Sequence, residues 1–496
     1  MHFLQVSAGH SASQVPLAAG ISLTQLESKR GRPTAKRRQG LMSRKLKFVE
    51  SSMITSTIAT YIAGSAGRPL PEAVREAAIH HLVDTVAAIV SGSTLEAGPA
   101  AIAFVRELSG KAQSTVIATD LVASAETAAL ANGMFAHADE SDDSHGFSVT
   151  HPGCSVIPAA LAIGEVQGSS GSDFLRAIVT GYDVGTRIAM ALGGGGFMEH
   201  YHHCSFGGIF GAASASAALM GLDAAGCART ITFAVHLASG STCWVRDPAH
   251  IEKGFVFGGL PAHNGVKAAM LGRTGIPAST APLEGVPGLF SGYGEFSKPD
   301  LAIEALGERF EITRTAIKKW CVGSPAQAAL DSIEDLLRQH RFSADDVADI
   351  LVTLPQRRVL IVNSTVPNLN LSHLLSIFII DGGVSFASVH DNDRMADPEV
   401  LALRSRIRIE PRPGAHRREH AIITLTLRDG RVFTRNPQNV RGQPEDPMTR
   451  DELLVKAGGL MEPVLGQAKT STLLDALQTI EALPDVRSLR PLLQLP

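Results

Sequence analysis

The chain has 496 residues, 44% hydrophobic and 19% charged, and its 45 Lys and Arg against 48 Asp and Glu leave a net charge of −3. This composition excludes a disordered chain and leaves no basic surplus to neutralise phosphates, so nucleic acid is not an expected partner. Five cysteines without CxxC spacing make neither a disulfide framework nor a zinc knuckle, and they fit the reducing cytoplasm. No run reaches the ~18 apolar residues that a membrane span needs, so no membrane association is expected.

Residues 1–52 are Ser- and Gln-rich and then basic, with Lys29, Arg30, Arg32 and the run Lys36-Arg37-Arg38. Such a segment cannot build a packed core; it reads as disordered or over-extended, with a targeting presequence as the other reading. From residue 55 a helical period begins, with Ile58, Tyr61 and Ile62 on one face. Pro71 opens a second helix with Glu72 and Glu76 in its early turns, and Ser91-Gly92-Ser93 ends it. Ala-rich helices are predicted over 126–134, 158–167, 172–180, 211–220, 224–238 and 262–273, with no comparable strand alternation before about residue 280. A Gly/Pro-rich stretch over 277–294 then changes the pattern. Strands are predicted over 349–354, 405–410, 421–427 and 432–434, with Asp429-Gly430 as a hairpin turn. Helices at 326–339 and 373–378 interrupt them, and helices return over 449–465 and 473–483. The expected fold class is mainly α with an α+β second domain. Residues 53–278 together with 446–496 would form an all-helical domain, and 279–445 a smaller α+β lid.

The densest polar run is residues 137–145, His137-Ala138-Asp139-Glu140-Ser141-Asp142-Asp143-Ser144-His145, followed by Thr150-His151-Pro152-Gly153. Its acids suit cation binding, general-base chemistry or a solvated loop. No EF-hand or HExxH spacing supports a metal. Pro152 restricts His151 to extended backbone, which would aim the imidazole in one direction. A second cluster, His200-Tyr201-His202-His203-Cys204-Ser205, precedes an Ala-rich helix, where unpaired N–H groups favour a carboxylate ligand. Lys253, in a glycine-rich apolar turn before another helix, would be a carboxylate anchor or a proton-transfer group. Gly258-Gly259 and Gly193–Gly196 do not complete a dinucleotide fingerprint, and no P-loop or GxSxG elbow occurs.

Taken in order, these residues resemble the MmgE/PrpD family. Residues 137–159 (HADESDDSHGFSVTHPGCSVIPA) match its signature, as do Gly181-Tyr182-Asp183-Val184-Gly185, the block from His202 to Ala213, Lys253 with Gly265, Lys318-Lys319-Trp320 and the stretch 373–383. The resemblance covers about residues 54–490. It implies a homodimer with a two-domain fold, no cofactor and no metal, and a small di- or tricarboxylate substrate. The family's activities are 2-methylcitrate dehydration, cis-aconitate decarboxylation and iminodisuccinate epimerisation. By the same resemblance, His151, Glu140, Asp142, Asp143 and Ser144 form the catalytic group, and Lys253, His202, Ser205 and Lys318 bind substrate. Glu140 stands where the family has Asp, and Ser144 where Thr is usual. Gly323 replaces a histidine of the decarboxylase, and Val359 or a neighbour stands where that enzyme has a tyrosine. These departures point away from cis-aconitate decarboxylation. The expected activity is therefore a cofactor-independent dehydratase acting on a hydroxy-polycarboxylate of the 2-methylcitrate type. An epimerase exchanging one α-proton, or a non-catalytic carboxylate-binding protein, would use the same pocket. His145 and His200 are assigned to its rim.

Overall fold

The structure is a computed structural model, and it describes residues 53–108, 110–194, 200–247, 249–293, 296–416 and 419–495. The reading of residues 1–52 lies outside the described residues, as does Gly195-Gly196 of the glycine run.

Helices dominate the first half: α1 (Ile54–Ala63), α2 (Glu72–Gly92), α3 (Ala97–Glu107), α4 (Ala125–Ala136), α5 (Gly153–Gln167), α6 (Gly171–Leu192), α7 (His203–Leu219), α8 (Ala224–Leu237) and α9 (Leu260–Arg273). Several run longer than the periodicity predicted. Helix α5 begins at Gly153 and carries Pro158 inside it, and α7 begins at His203, so the histidine cluster itself forms the helix start. Two strands of two residues each, β1 (Ser114–Thr115) and β2 (Val122–Ala123), pair antiparallel in this half, where no strand was expected. They are too short for an alternating pattern to show.

Small residues set how closely these helices approach. A Cβ on Gly185 of α6 would lie 2.5 Å from the carbonyl oxygen of Gly207 on α7, so the backbones meet without side chains between them. In the largest hydrophobic cluster Val86, Phe135 and Ile157, from α2, α4 and α5, join Leu453, Ala457 and Leu460 from α12 (Arg450–Leu465) and Leu473 from α13 (Gln467–Gln478). The C-terminal helices thus bury their apolar faces against the N-terminal ones. Thr449 caps α12 with a reciprocal bond to Glu452, which fixes where that helix starts.

A second cluster lies under a four-stranded sheet of order β4-β3-β5-β6, made of β3 (Val347–Leu354), β4 (Ile407–Pro411), β5 (Ile422–Leu427) and β6 (Val432–Arg435). Strand β3 runs parallel to β4 and antiparallel to β5, with Ile350 opposite Leu425 and Val352 opposite Ile423. Helices α10 (Gln327–His340) and α11 (Leu371–Asp381) cover its apolar face through Leu330, Ile333, Leu374 and Phe378. Gly430, at φ +90°, makes the β5–β6 turn, a backbone angle that suits glycine there. The chain is mainly helical with an α+β part, and among the described residues no single helix is long and apolar enough to cross a membrane.

Candidate active site

The acidic run leaves the end of α4 and turns sharply at Glu140, whose φ of +63° lies in the left-handed region. Its backbone is pinned from both sides. Ser144 exchanges backbone hydrogen bonds with Ala316 (2.9 and 2.8 Å), and Lys318 Nζ donates to the Glu140 carbonyl at 2.5 Å. Asp139 faces inward and accepts from Ser91 Oγ (2.7 Å) and from the Ser141 N–H (2.9 Å) and hydroxyl (2.6 Å), so it shapes the turn. Asp143 is fully buried beneath His151. Its carboxylate takes the Gly153 N–H (3.0 Å) and the Tyr182 hydroxyl (2.5 Å), with His81 Nδ1 at 2.9 Å. The two hydrogen bonds fasten the start of α5 to α6, and His81 brings α2 against the same carboxylate.

His151 sits above this support with 15% of its side chain exposed. Its Nδ1 is 2.6 Å from the Asp143 carbonyl oxygen, which can only accept; Nδ1 therefore carries the proton and Nε2 keeps its lone pair. Burial pushes the His151 pKa down to about 3, a shift that Asp142 opposes and Lys318 reinforces. Neutral at ordinary pH, this ring can accept a proton. His202 has the opposite tautomer. As the N-cap of α7 its Nδ1 accepts the Cys204 N–H at 3.1 Å, so Nε2 carries the proton and can donate. Burial chiefly, then the neighbouring His203 and Lys253, hold its pKa well below the usual histidine value.

Phe257 organises these rings. His202 stacks on it with centroids 4.3 Å apart, His137 lies at 4.9 Å, Trp244 at 5.1 Å and His151 at 6.1 Å. A π-helical turn, Phe255–Gly259, delivers Phe257. It presses so closely on α4 that a Cβ on Gly133 would come within 2.5 Å of the Gly258 carbonyl oxygen. Ser205 holds the same turn by donating to the Val256 carbonyl at 2.9 Å.

The charged groups are paired. Lys253 Nζ bonds Glu140 Oε1, which also has His250 Nε2 at 3.1 Å and His137 Nε2 at 3.8 Å. Asp142 takes His137 Nδ1 at 2.8 Å and Lys318 at 3.4 Å, and His151 Nδ1 lies 3.5 Å from it. Burial pushes the carboxyls of Glu140 and Asp142 upward, but the facing lysines and histidines outweigh it and hold both well below their ordinary values. For Lys318, burial works downward and Asp142 and Glu140 reverse it, leaving its pKa raised. Both carboxylates are ionised and both rings are neutral at physiological pH.

His137, Asp142 and His151 offer ligand atoms within 4.8 Å of one another. The donor chemistry favours proton bridges over an ion: His151 Nδ1 is committed to the Asp143 carbonyl, and the Lys318 ammonium stands against Asp142. The thiols of Cys154 and Cys204 are buried beside the site, and burial pushes both pKa values far up, so they stay protonated and are poor nucleophiles.

The structure gathers His151, Glu140, Asp142, Lys253, His202 and Lys318 around one aromatic centre. Ser144 contributes its backbone bridge, Ser205 holds the π-helical turn and Asp143 lies beneath. His145 is a correction: expected at the rim, it is fully buried, with Nε2 3.2 Å from Glu311 and Nδ1 accepting from Ser148. His200 is exposed. The sequence reading passed over His137, Trp244, His250 and Phe257. For His137 a signal existed, because it opens the acidic run and precedes Asp142 by five positions.

Known proteins resemble this chain along most of its length. The MmgE/PrpD N-terminal domain matches residues 56–302 and the MmgE/PrpD C-terminal domain matches 320–481. Human cis-aconitate decarboxylase is 25% identical over 471 residues, covering 89% of this chain and 95% of the human protein. Cis-aconitate decarboxylase of Aspergillus terreus is 23% identical over 487 residues, 90% of this chain and 96% of that protein. A cis-aconitate decarboxylase-like protein of Aspergillus oryzae is 26% identical over 319 residues, 60% of this chain and 64% of its own length. With the two domain matches spanning most of its length in the expected order, the chain belongs to the MmgE/PrpD family.

Proposed function

We propose that the chain is a cofactor-independent dehydratase acting on a small hydroxy-polycarboxylate of the 2-methylcitrate type. It is an enzyme of the MmgE/PrpD lyase type, and its relatives support a small carboxylate substrate. The observation that carries the reading is the opposite tautomers of two neutral rings beside one aromatic side chain. His151 presents a proton acceptor and His202 a proton donor, both beside Phe257.

In this reading the Nε2–H of His202 and the ammonium of Lys253 hold substrate carboxylates. His151 Nε2 removes the proton α to a carboxylate, and the negative substrate and Asp142 raise its basicity at that moment. Asp142, 3.5 Å from Nδ1, stabilises the imidazolium that forms. As the C–O bond breaks and the double bond forms, His151 returns the proton to the departing hydroxyl and water leaves. Dehydration is favoured over decarboxylation by the two departures from the decarboxylase. Position 323 is a glycine crowded by Leu369, where a Cβ would meet Cδ2 at 2.7 Å, and Val359 packs against the apolar core of the α+β part. Neither brings a polar group to the candidate site. The same reading includes a two-domain homodimer in the cytoplasm, with residues 53–278 and 446–496 as the helical domain, and light scattering of the purified protein tests the dimer.

A thermal-shift screen against small di- and tricarboxylates tests the substrate class. A ligand at ~100 times its dissociation constant adds about 2.7 kcal/mol of stability, a readily visible shift. Stabilisation by hydroxylated polycarboxylates is expected; indifference to every member would overturn the reading.

A further inference from the structure

The segment between Trp244 and Phe257 brings to Glu140 a residue that neither the periodicity nor the family signature marks. Asp247 organises it: Oδ1 accepts the Ala249 N–H at 3.0 Å, and Oδ2 accepts those of Ile251 and Glu252 at 2.7 and 2.8 Å. Within this capped turn His250 takes a φ of +61°, a left-handed angle uncommon for a residue other than glycine. The surrounding contacts hold it there. Its ring meets Trp244 edge-on at 5.7 Å, and Nε2 lies 3.1 Å from Glu140 Oε1. A carboxylate only accepts, so His250 Nε2 is the donor.

Lys253, three positions later, reaches the same oxygen. Oε1 therefore takes two donors from one short segment, while no described residue donates to Oε2. A carboxylate held through one oxygen by two divergent donors cannot turn over without losing both. With 23% of its side chain exposed, His250 is also more open than Glu140, Lys253 or His151, which puts it on the solvent side of the cluster.

From these contacts we propose that His250 is a positioning residue: its Nε2–H fixes the Glu140 carboxylate so that Lys253 stays aligned and Oε2 remains available to a bound substrate. This rests on the lyase reading above. It gives the longer Glu140, in place of the family's aspartate, a second holder that a shorter side chain would not reach in the same way.

The test compares His250→Ala with His250→Gln, whose side-chain amide can still donate. With a carboxylate that the native protein turns over, the alanine variant should lose about ten- to a hundredfold in kcat/KM, and the glutamine variant should return to within about threefold of native kcat/KM. An alanine variant with native kcat/KM, or a glutamine variant as impaired as alanine, would overturn the proposal. A crystal structure of His250→Ala decides the same point without substrate: the Glu140 carboxylate should turn and its contact with Lys253 lengthen, and an unmoved Glu140 contradicts the assignment. Should the native protein turn over no carboxylate, the lyase reading fails, and this structure alone judges the positioning role.

Discussion

Two of the buried charged clusters among the described residues differ in one respect. In the first, Asp183 and Glu311 have all four carboxylate oxygens answered: Asp183 by the Tyr61 hydroxyl (2.5 Å) and the Glu311 N–H (2.6 Å), Glu311 by Arg309, Arg314, Arg187 and His145. In the second, around Phe257, Glu140 Oε2 accepts from no described residue and His151 Nε2 keeps an uncommitted lone pair. A closed network holds elements together, here α1, α6 and the segment 304–314. An open one has capacity left for a ligand, and that difference sets the candidate site apart more sharply than the density of charge does.

Removing one partner from the closed network should produce the largest effect. Glu311→Ala leaves three guanidinium groups and His145 facing an empty space, and a loss of ~3–5 kcal/mol in unfolding free energy is expected by denaturant titration. A loss under about 1 kcal/mol would mean the network is solvated and the comparison false. In the open cluster the cost should fall on catalysis. Lys253→Ala removes a charge-assisted pair to substrate and should lower kcat/KM by ~2–5 kcal/mol, where ~3 kcal/mol is about 150-fold. Its melting temperature should move far less than that of Glu311→Ala.

His373 belongs to neither cluster and sharpens the contrast, since it is fully buried with neither ring nitrogen partnered among the described residues. Burial chiefly, then the charges of Arg404 and Arg394, push its pKa down to about 4. Between that value and the ordinary 6.5, the unfolded chain holds a proton there that the folded chain does not. Stability is therefore lost as pH falls through this window, by at most ~1.4 kcal/mol per pH unit for this one group. Asp183, pushed up to about 6 by burial, works in the opposite sense below pH 6, so the clean readout is a difference between proteins. His373→Leu should show a flatter pH dependence between 6.5 and 5 than the native chain. Equal slopes would contradict the account. The smallest effect is expected for His200→Ala, an exposed position outside the paired groups, with less than about a tenfold change in turnover, or ~1.4 kcal/mol.

The chemistry-bearing positions were legible where local pattern and chemistry coincide. The acidic run, the His-Pro pair at 151–152 and a lysine in an apolar glycine-rich turn all stand out against Ala-rich helices. What stayed hidden depends on contacts distant in sequence. Asp143 reads like its neighbours until Tyr182 and His81, from helices 39 and 62 positions away on either side, close over it. His145 reads as a rim residue until Glu311, 166 positions away, meets its ring. Phe257 reached the centre through a π-helical turn that no periodicity encodes, and the loop carrying Trp244 and His250 has no motif of its own. The sheet strands were predicted because they are long enough to alternate, whereas β1 and β2 were not.

The central claim is that His151 Nε2 removes a proton and that water then departs. The most direct measurement follows native and His151→Gln proteins with 2-methylcitrate and related hydroxy-acids in deuterium oxide, recording ultraviolet absorbance and deuterium content together. The account predicts an unsaturated, ultraviolet-absorbing product from the native protein and loss of at least about a hundredfold of that rate in His151→Gln, with folding intact. Deuterium entering the substrate with no unsaturated product, or a His151→Gln protein with native turnover, would contradict it.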